Sequence, residues 1–300
     1  MFKHTAAVVA LAMVLFQGTG LSQQAAATAP QCRPTNEGLN GTLWVQTAAE
    51  YRMATEGAYA LAKIQLDRAL KDNNWTAALE QKTNYRKLPP AIILDVDETV
   101  LDNSPFQAQL IRINRPFTPE VWKQWTDLAA AEPIAGAVEF IKHARSRGVE
   151  VFYITNRSRQ EEAATRKNLT QAGFPITDAP DRVLTADEQP DWQSDKSSRR
   201  AFVAKNFRVL LLIGDDLNDF ASVTKLSLEE RTKVAEAQRK RWGKNWIMIA
   251  NPLYGSWERA TYGWKRLSDT EMLMEKRSKL RGLDSIHAGV QESATAAKAK

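Results

Sequence analysis

Ala91-Ile-Ile-Leu-Asp95-Val-Asp97-Glu-Thr-Val-Leu-Asp102-Asn-Ser104 is the stretch on which the reading of this chain turns. Apolar residues run into two acids one residue apart, and polar residues follow. Pro89-Pro90 stops whatever precedes, because proline cannot continue a helix and disfavours helix in the residue before it. The run therefore predicts a buried parallel strand ending at Asp95. Alternation along a strand starts Asp95 and Asp97 on one side. In open parallel sheets ligands bind beyond the carboxyl ends of the strands. Two carboxylates there repel each other. A hard cation with oxygen ligands relieves that, and Mg²⁺ is the natural candidate.

Working outward, the same alternation of strands and helices recurs. Val151–Thr155 reads as a second strand, Arg182–Leu184 as a weak one, Val209–Ile213 as the most apolar and Trp246–Ala250 as a further one. Helices are expected over Ile134–Ser146, Glu161–Ala172, Lys196–Lys205 and Ser227–Arg241. Strands separated by helices of about ten residues predict an α/β fold, a central parallel sheet flanked by helices. Upstream, Trp44, Ala48, Tyr51, Ala54, Ala58, Leu61 and Ile64 fall three or four apart, which predicts an amphipathic helix with a break near Gly57. Residues 42–88 are thus a helical extension packed on the main domain. Residues 103–133, with four prolines and the aromatics Phe106, Phe117, Trp122 and Trp125, read as a small cap insertion over the strand ends.

The 300 residues carry a net charge of +6, 43% hydrophobic and 25% charged residues, an ordinary globular balance. Mild basicity favours anionic small molecules, and no nucleic-acid module is recognisable. A short basic start, an apolar run from Thr5 to Phe16 and Ala25-Ala26-Ala27 predict a cleaved signal peptide over 1–27. Residues 28–41 read as linker, and residues 265–300 as a basic, partly disordered extension. No run reaches the ~18 apolar residues of a membrane span. Cys32 is alone, so no intrachain disulfide forms. The residues before it, Ala29-Pro30-Gln31, suit lipid attachment poorly. A periplasmic or secreted protein is expected rather than one anchored to the outer membrane.

Polar groups arrive in order at four strand ends or the helices beside them: Asp95 and Asp97, then Thr155-Asn156-Arg157, then Lys196, then Gly214-Asp215-Asp216-Leu-Asn-Asp219. A carboxylate can attack phosphorus and split one hard step into two. Mg²⁺ and a lysine neutralise the phosphoryl oxygens, and a second acid moves the proton. The set resembles the four motifs of haloacid dehalogenase (HAD) superfamily phosphatases. More narrowly, residues 95–106, Ala48-Ala-Glu-Tyr51 and Asn251-Pro-Leu-Tyr254-Gly-Ser-Trp257 resemble the bacterial class C acid phosphatases.

That resemblance implies a Rossmann-like HAD domain over 42–264. It implies a Mg²⁺-dependent acid phosphatase that hydrolyses phosphate monoesters, nucleoside 5′-monophosphates among them, through an aspartyl phosphate. Asp95 would be the nucleophile and Asp97 the general acid/base. Mg²⁺ would be held by Asp95, the backbone carbonyl of Asp97, and Asp215, with Asp219 in support. Thr155, Asn156 and Lys196 would hold the phosphate, and Trp122 and Tyr254 would clamp the substrate's ring. Partners would be small phosphomonoesters, with a homodimer open. The competing readings are a secreted phosphate- or nucleotide-binding protein and a receiver-like phosphoacceptor without turnover.

Overall fold

In a computed structural model, residues 37–177 and 181–283 are described. The expected signal peptide, Cys32 and the end of the C-terminal extension lie outside them. Five strands form one parallel sheet: β1 (Pro90–Leu94), β4 (Glu150–Ser158), β5 (Val183–Ala186), β6 (Arg208–Gly214) and β7 (Trp246–Met248). Their order is β5-β4-β1-β6-β7, every neighbouring pair parallel. The chain leaves β1 toward β4 and β5, then returns to place β6 on the other side of β1. That reversal is the topological switch point at which ligand crevices open. The predicted α/β architecture is the one observed, and Asp95, Thr155 and Gly214 all lie at this end.

All seven residues of β6 are buried, as are four of the five in β1. Apolar groups fill both faces of the sheet. Ile92 and Leu94 face a core with Tyr59, Leu66, Phe140 and Ile141 from α2 (Ala49–Ala69) and α5 (Ala137–Ser146). Ile93 and Leu212 face Trp192, Val203, Phe220 and Trp246, with Val203 on α7 (Ser197–Asn206). Each such buried side chain contributes about 1.5–3 kcal/mol relative to exposure.

The N-terminal extension differs from its expected form in two ways. Helix α1 (Leu39–Thr47) begins inside the predicted linker, and the break before α2 falls at Ala48, whose ψ of 125° is extended, not at Gly57. The buried face of α2 is Tyr51, Thr55, Tyr59, Ala62, Leu66 and Ala69, while Ile64 is exposed. A stripe that begins at Tyr51 is met there, but tertiary packing rotates it by one position. The extension is sewn to the sheet: Trp75 Nε1 donates to the Leu210 carbonyl (2.8 Å) and Trp246 Nε1 to that of Ala77 (2.9 Å).

A two-stranded antiparallel ladder, β2 (Leu101–Asp102) with β3 (Glu132–Pro133), closes the base of the insertion, which holds the helices α3 (Ser104–Ile113) and α4 (Pro119–Leu128). Its prolines start helices: Pro105 and Pro119 occupy the first turns, where a missing N–H is harmless. Helix α6 (Glu162–Gln171) follows β4. Helix α8 (Leu228–Ala237) is shorter than its basic run suggested, and α9 (Ser256–Thr261) and α10 (Asp269–Ser278) follow among the described residues. No helix of the described residues is long and apolar enough to cross a membrane.

Candidate active site

β1 hands its last hydrogen bond to the first acid: the Asp95 N–H donates to the Ile213 carbonyl at 3.0 Å. The chain then turns sharply, with the N–H groups of Val100 and Leu101 both on the Val96 carbonyl (2.9 Å each) and Glu98 at φ 55°. On the neighbouring strand Gly214 precedes Asp215, and a 3₁₀ turn over Leu217–Asp219 brings Asp219 back over the strand end. Asp95, Asp215 and Asp219 each offer one carboxylate oxygen, all within 4.8 Å of one another.

Lys196 caps α7 and reaches into this cluster. Its Nζ donates to Asp219 Oδ1 at 2.6 Å and also to Asp95 Oδ1. Burial pushes the Asp95 carboxyl up to about 7, with Lys196 opposing and Asp219 and Asp97 adding to it. Burial likewise raises Asp215, further lifted by Asp219 and Asp95, and raises Asp219 against the pull of Lys196. Asp215 is oriented by Thr99 Oγ1 (3.1 Å) and Asn251 Nδ2 (2.8 Å). Three carboxylates, Asp95 and Asp219 buried and Asp215 half-buried, with a single lysine between two of them form a hard oxygen donor set that is short of positive charge. That is the chemistry a divalent cation such as Mg²⁺ satisfies.

The side chain of Asp97 lies outside this cluster. Arg157 donates to its Oδ1 from Nε (3.0 Å) and Nη2 (2.7 Å), Asn103 Nδ2 donates to the same oxygen at 2.9 Å, and Thr155 Oγ1 donates to Oδ2 at 3.3 Å. The two acids of the 95–97 pair therefore have different surroundings. Asn156 is exposed; its Nδ2 donates to the Ser194 carbonyl (3.1 Å), leaving one amide hydrogen, and its Oδ1 accepts from Arg199.

Of the two candidate clamp aromatics, Trp122 lies beside the arginine that holds Asp97 and Tyr254 meets Glu98. Trp122 is half-buried against Phe106 (centroids 5.0 Å), with the Arg157 guanidinium 5.4 Å from its ring. The Tyr254 hydroxyl donates to Glu98 Oε2. Burial and the charges of Glu98, Asp97 and Asp215 raise the tyrosine well above its usual value. Burial and Asp97 push Glu98 up to about 8, opposed by the hydrogen bonds from Tyr254 and Asn103.

Several groups that build the site escape sequence reading. Arg157 was visible as a strand-end residue but not as the partner of Asp97. Glu98 stands inside the acidic motif and looks like a solvated charge. Asn103 joins Asp97, Glu98 and Trp125, and Asn251 opens the motif that carries Tyr254. Only proximity to these motifs hinted at them.

A family model described as "HAD superfamily, subfamily IIIB (Acid phosphatase)" matches residues 19–257. Among solved structures, the class C acid phosphatase from Bacillus anthracis is similar, with a TM-score of 0.73 and 32% identity over 84% of this chain and 99% of that one. The same enzyme with tungstate bound aligns with a TM-score of 0.73 and 32% identity, covering 83% and 98%. Acid phosphatase 1 of Solanum lycopersicum is 29% identical over 134 residues, 42% of this chain and 50% of that protein, so the match spans half the length of the plant relative. With the family match running over most of its length and the acid cluster at the switch point of its sheet, this chain belongs to the HAD superfamily acid phosphatases of subfamily IIIB.

Proposed function

We propose that this chain is a Mg²⁺-dependent phosphomonoesterase that works through an aspartyl phosphate on Asp95, with nucleoside 5′-monophosphates among its substrates. The observation that carries the reading is the meeting of Asp95, Asp215, Asp219 and Lys196 at the ends of β1 and β6. Asp95, Asp215, Asp219 and the backbone carbonyl of Asp97 would hold the ion. When bound, it supplies positive charge against the phosphoryl oxygens. A relative solved with tungstate bound supports an oxyanion ligand, since tungstate shares the tetrahedral shape of phosphate.

Asp95 Oδ forms a bond to phosphorus as the bond to the leaving oxygen breaks. Asp97, held in place by Arg157, gives that oxygen a proton and then takes one from the water that attacks phosphorus, which breaks the Asp95–phosphorus bond and releases inorganic phosphate. Lys196 and the donors of Thr155 and Asn156 would bind the phosphoryl oxygens. Trp122 and Tyr254 would stack on the leaving group's ring, a contact that tolerates any base because each has a π-face. An exported enzyme fits the leader expected over 1–27, freeing phosphate and nucleoside outside the inner membrane.

The decisive assay incubates the protein with 4-nitrophenyl phosphate, with Mg²⁺ or with EDTA. Nitrophenolate release that depends on the metal is expected; no such release would defeat the proposal and leave a binding protein. Proton competition gives a second check. An acid raised to about 7 keeps its proton below that pH, so a cation must displace it. Mg²⁺ affinity should weaken as pH falls from 7 to 5, by up to roughly tenfold per unit for one displaced proton. Calorimetric titration showing a flat affinity over that range would contradict the site. Tyr254→Ala should raise KM for nucleoside monophosphates about tenfold while barely changing that for small alkyl phosphates, as a lost stacking contact predicts. Equal changes for both substrates would remove the clamp.

A further inference from the structure

Helix α7 sends two adjacent arginines inward, Arg199 at 0% and Arg200 at 1% exposure. In sequence the pair falls within the helix expected over Lys196–Lys205. Burying a guanidinium is costly unless it is paired and hydrogen-bonded. Arg200 is paired: its Nε donates to Glu80 at 3.0 Å, and its Nη1 holds the carbonyls of Asn218 and Asp219. Arg199 has no carboxylate within ion-pair distance among the described residues. Its Nη1 donates to the Thr155 carbonyl, and its Nη2 to Asn156 Oδ1 (2.7 Å) and the Gln193 carbonyl (2.6 Å). Its Nε is buried without a partner.

The other cations around the site are neutralised where they stand. Lys196 lies on Asp95 and Asp219, and Arg157 on Asp97. Arg199 alone among these brings a charge that no acid touches, directly behind the backbone of Thr155 and Asn156. The Ser194 carbonyl beside it accepts from Asn156 and from Asn218 Nδ2 (2.6 Å), so the same knot ties the end of β4 to the acidic turn.

We propose that Arg199 is a positioning residue for the phosphoryl group. It fixes the backbone of Thr155 and the side-chain amide of Asn156 where the phosphate binds, and it sets behind them a positive charge with no ion-pair partner, without touching the substrate. Burial holds its pKa down to about 10, still far above working pH, so the charge persists. This inference rests on the phosphatase reading above.

The test is steady-state kinetics with 4-nitrophenyl phosphate at saturating Mg²⁺, with inorganic phosphate as inhibitor. Arg199→Gln should raise both KM and the phosphate inhibition constant roughly tenfold, the usual size for a lost charged hydrogen bond, with kcat within about threefold. Arg199→Lys should recover part of the loss. Asn156→Ala, at an exposed position, should weaken phosphate by itself and add little in the Arg199→Gln background, because coupled residues are not additive. Arg200→Gln removes an equally buried arginine from the same helix. Equal losses of phosphate affinity in the two arginine variants, or full additivity with Asn156→Ala, would reduce Arg199 to packing and overturn the proposal. Absence of hydrolysis by the wild type would remove the phosphatase reading instead. Calorimetry with inorganic phosphate on wild type and Arg199→Gln would then still decide: weaker binding upholds the role of Arg199 and equal binding rejects it.

Discussion

Asp95→Asn should lower kcat by at least about 10⁴-fold and leave the protein folded. An amide nitrogen cannot form the phosphoenzyme, and no neighbouring carboxylate can replace a covalent step that needs attack from this position. The substitution is nearly isosteric, and Asp95 is buried where its charged form is disfavoured, so the core need not move. Lys196 keeps Asp219 as its partner at 2.6 Å. The unfolding temperature and the far-ultraviolet circular dichroism should therefore stay near those of the wild type. Acid quenching of a reaction with radiolabelled substrate separates the two acids of the motif. The wild type should retain label on protein, Asp95→Asn none. Asp97→Asn should accumulate it, because the second half of the reaction loses its base. Activity in Asp95→Asn within tenfold of wild type, or label retained on that variant, would mean the nucleophile lies elsewhere.

The acids could be found from sequence because a buried strand is the easiest element to see and its end is where the sheet places ligands. Val209–Ile213 and Ala91–Leu94 are apolar runs with an acid at or just beyond their ends. Parallel pairing of β1 with β6 then brings Asp95 and Asp215 together. Lys196 was legible for a related reason: it opens the helix that feeds β6. What sequence could not supply is pairing over distance. Whether Asp97 faces the cation cluster or an arginine depends on how a turn with Glu98 at φ 55° redirects the chain. The same holds for the face of α2. Tyr59 rather than Ile64 turns inward because its hydroxyl meets the Thr99 carbonyl at 2.6 Å, and Thr99 in turn donates to Asp215. The extension thus reaches the site through one hydrogen-bonded residue, a link that no periodicity encodes. Arg199 and Arg200 were hidden by the rule that arginines are solvated, which holds until backbone carbonyls and a carboxylate converge on them.

Gly214→Ala should damage stability and metal binding together, through one steric conflict. A Cβ on Gly214 would lie 2.2 Å from Asp219 Oδ2, 2.4 Å from its Cβ and 2.5 Å from its Cγ. Rotating the Asp219 side chain cannot resolve this, because its own Cβ is among the atoms struck. The turn over residues 217–219 must shift instead. That turn is anchored by Lys196 on Asp219 Oδ1 (2.6 Å), by the Asp216 N–H on Oδ2 (2.9 Å) and by Arg200 on the carbonyls of Asn218 and Asp219. Overpacking of this kind costs about 1–3 kcal/mol. In a domain of this size each kcal/mol lowers Tm by roughly 2–4 °C. Moving Asp219 also opens the oxygen cluster, so Mg²⁺ should bind at least about tenfold more weakly, as when any ligand is displaced. Asp219→Asn separates the two effects: it adds no volume, so Mg²⁺ affinity should fall while Tm drops only by what one lost accepting oxygen, facing Lys196 or the Asp216 N–H, contributes. Thermal melts and calorimetric Mg²⁺ titrations on both variants read the two quantities independently. A Gly214→Ala protein with wild-type Mg²⁺ affinity would show that Asp219 is not held over the strand end in the way that builds this site.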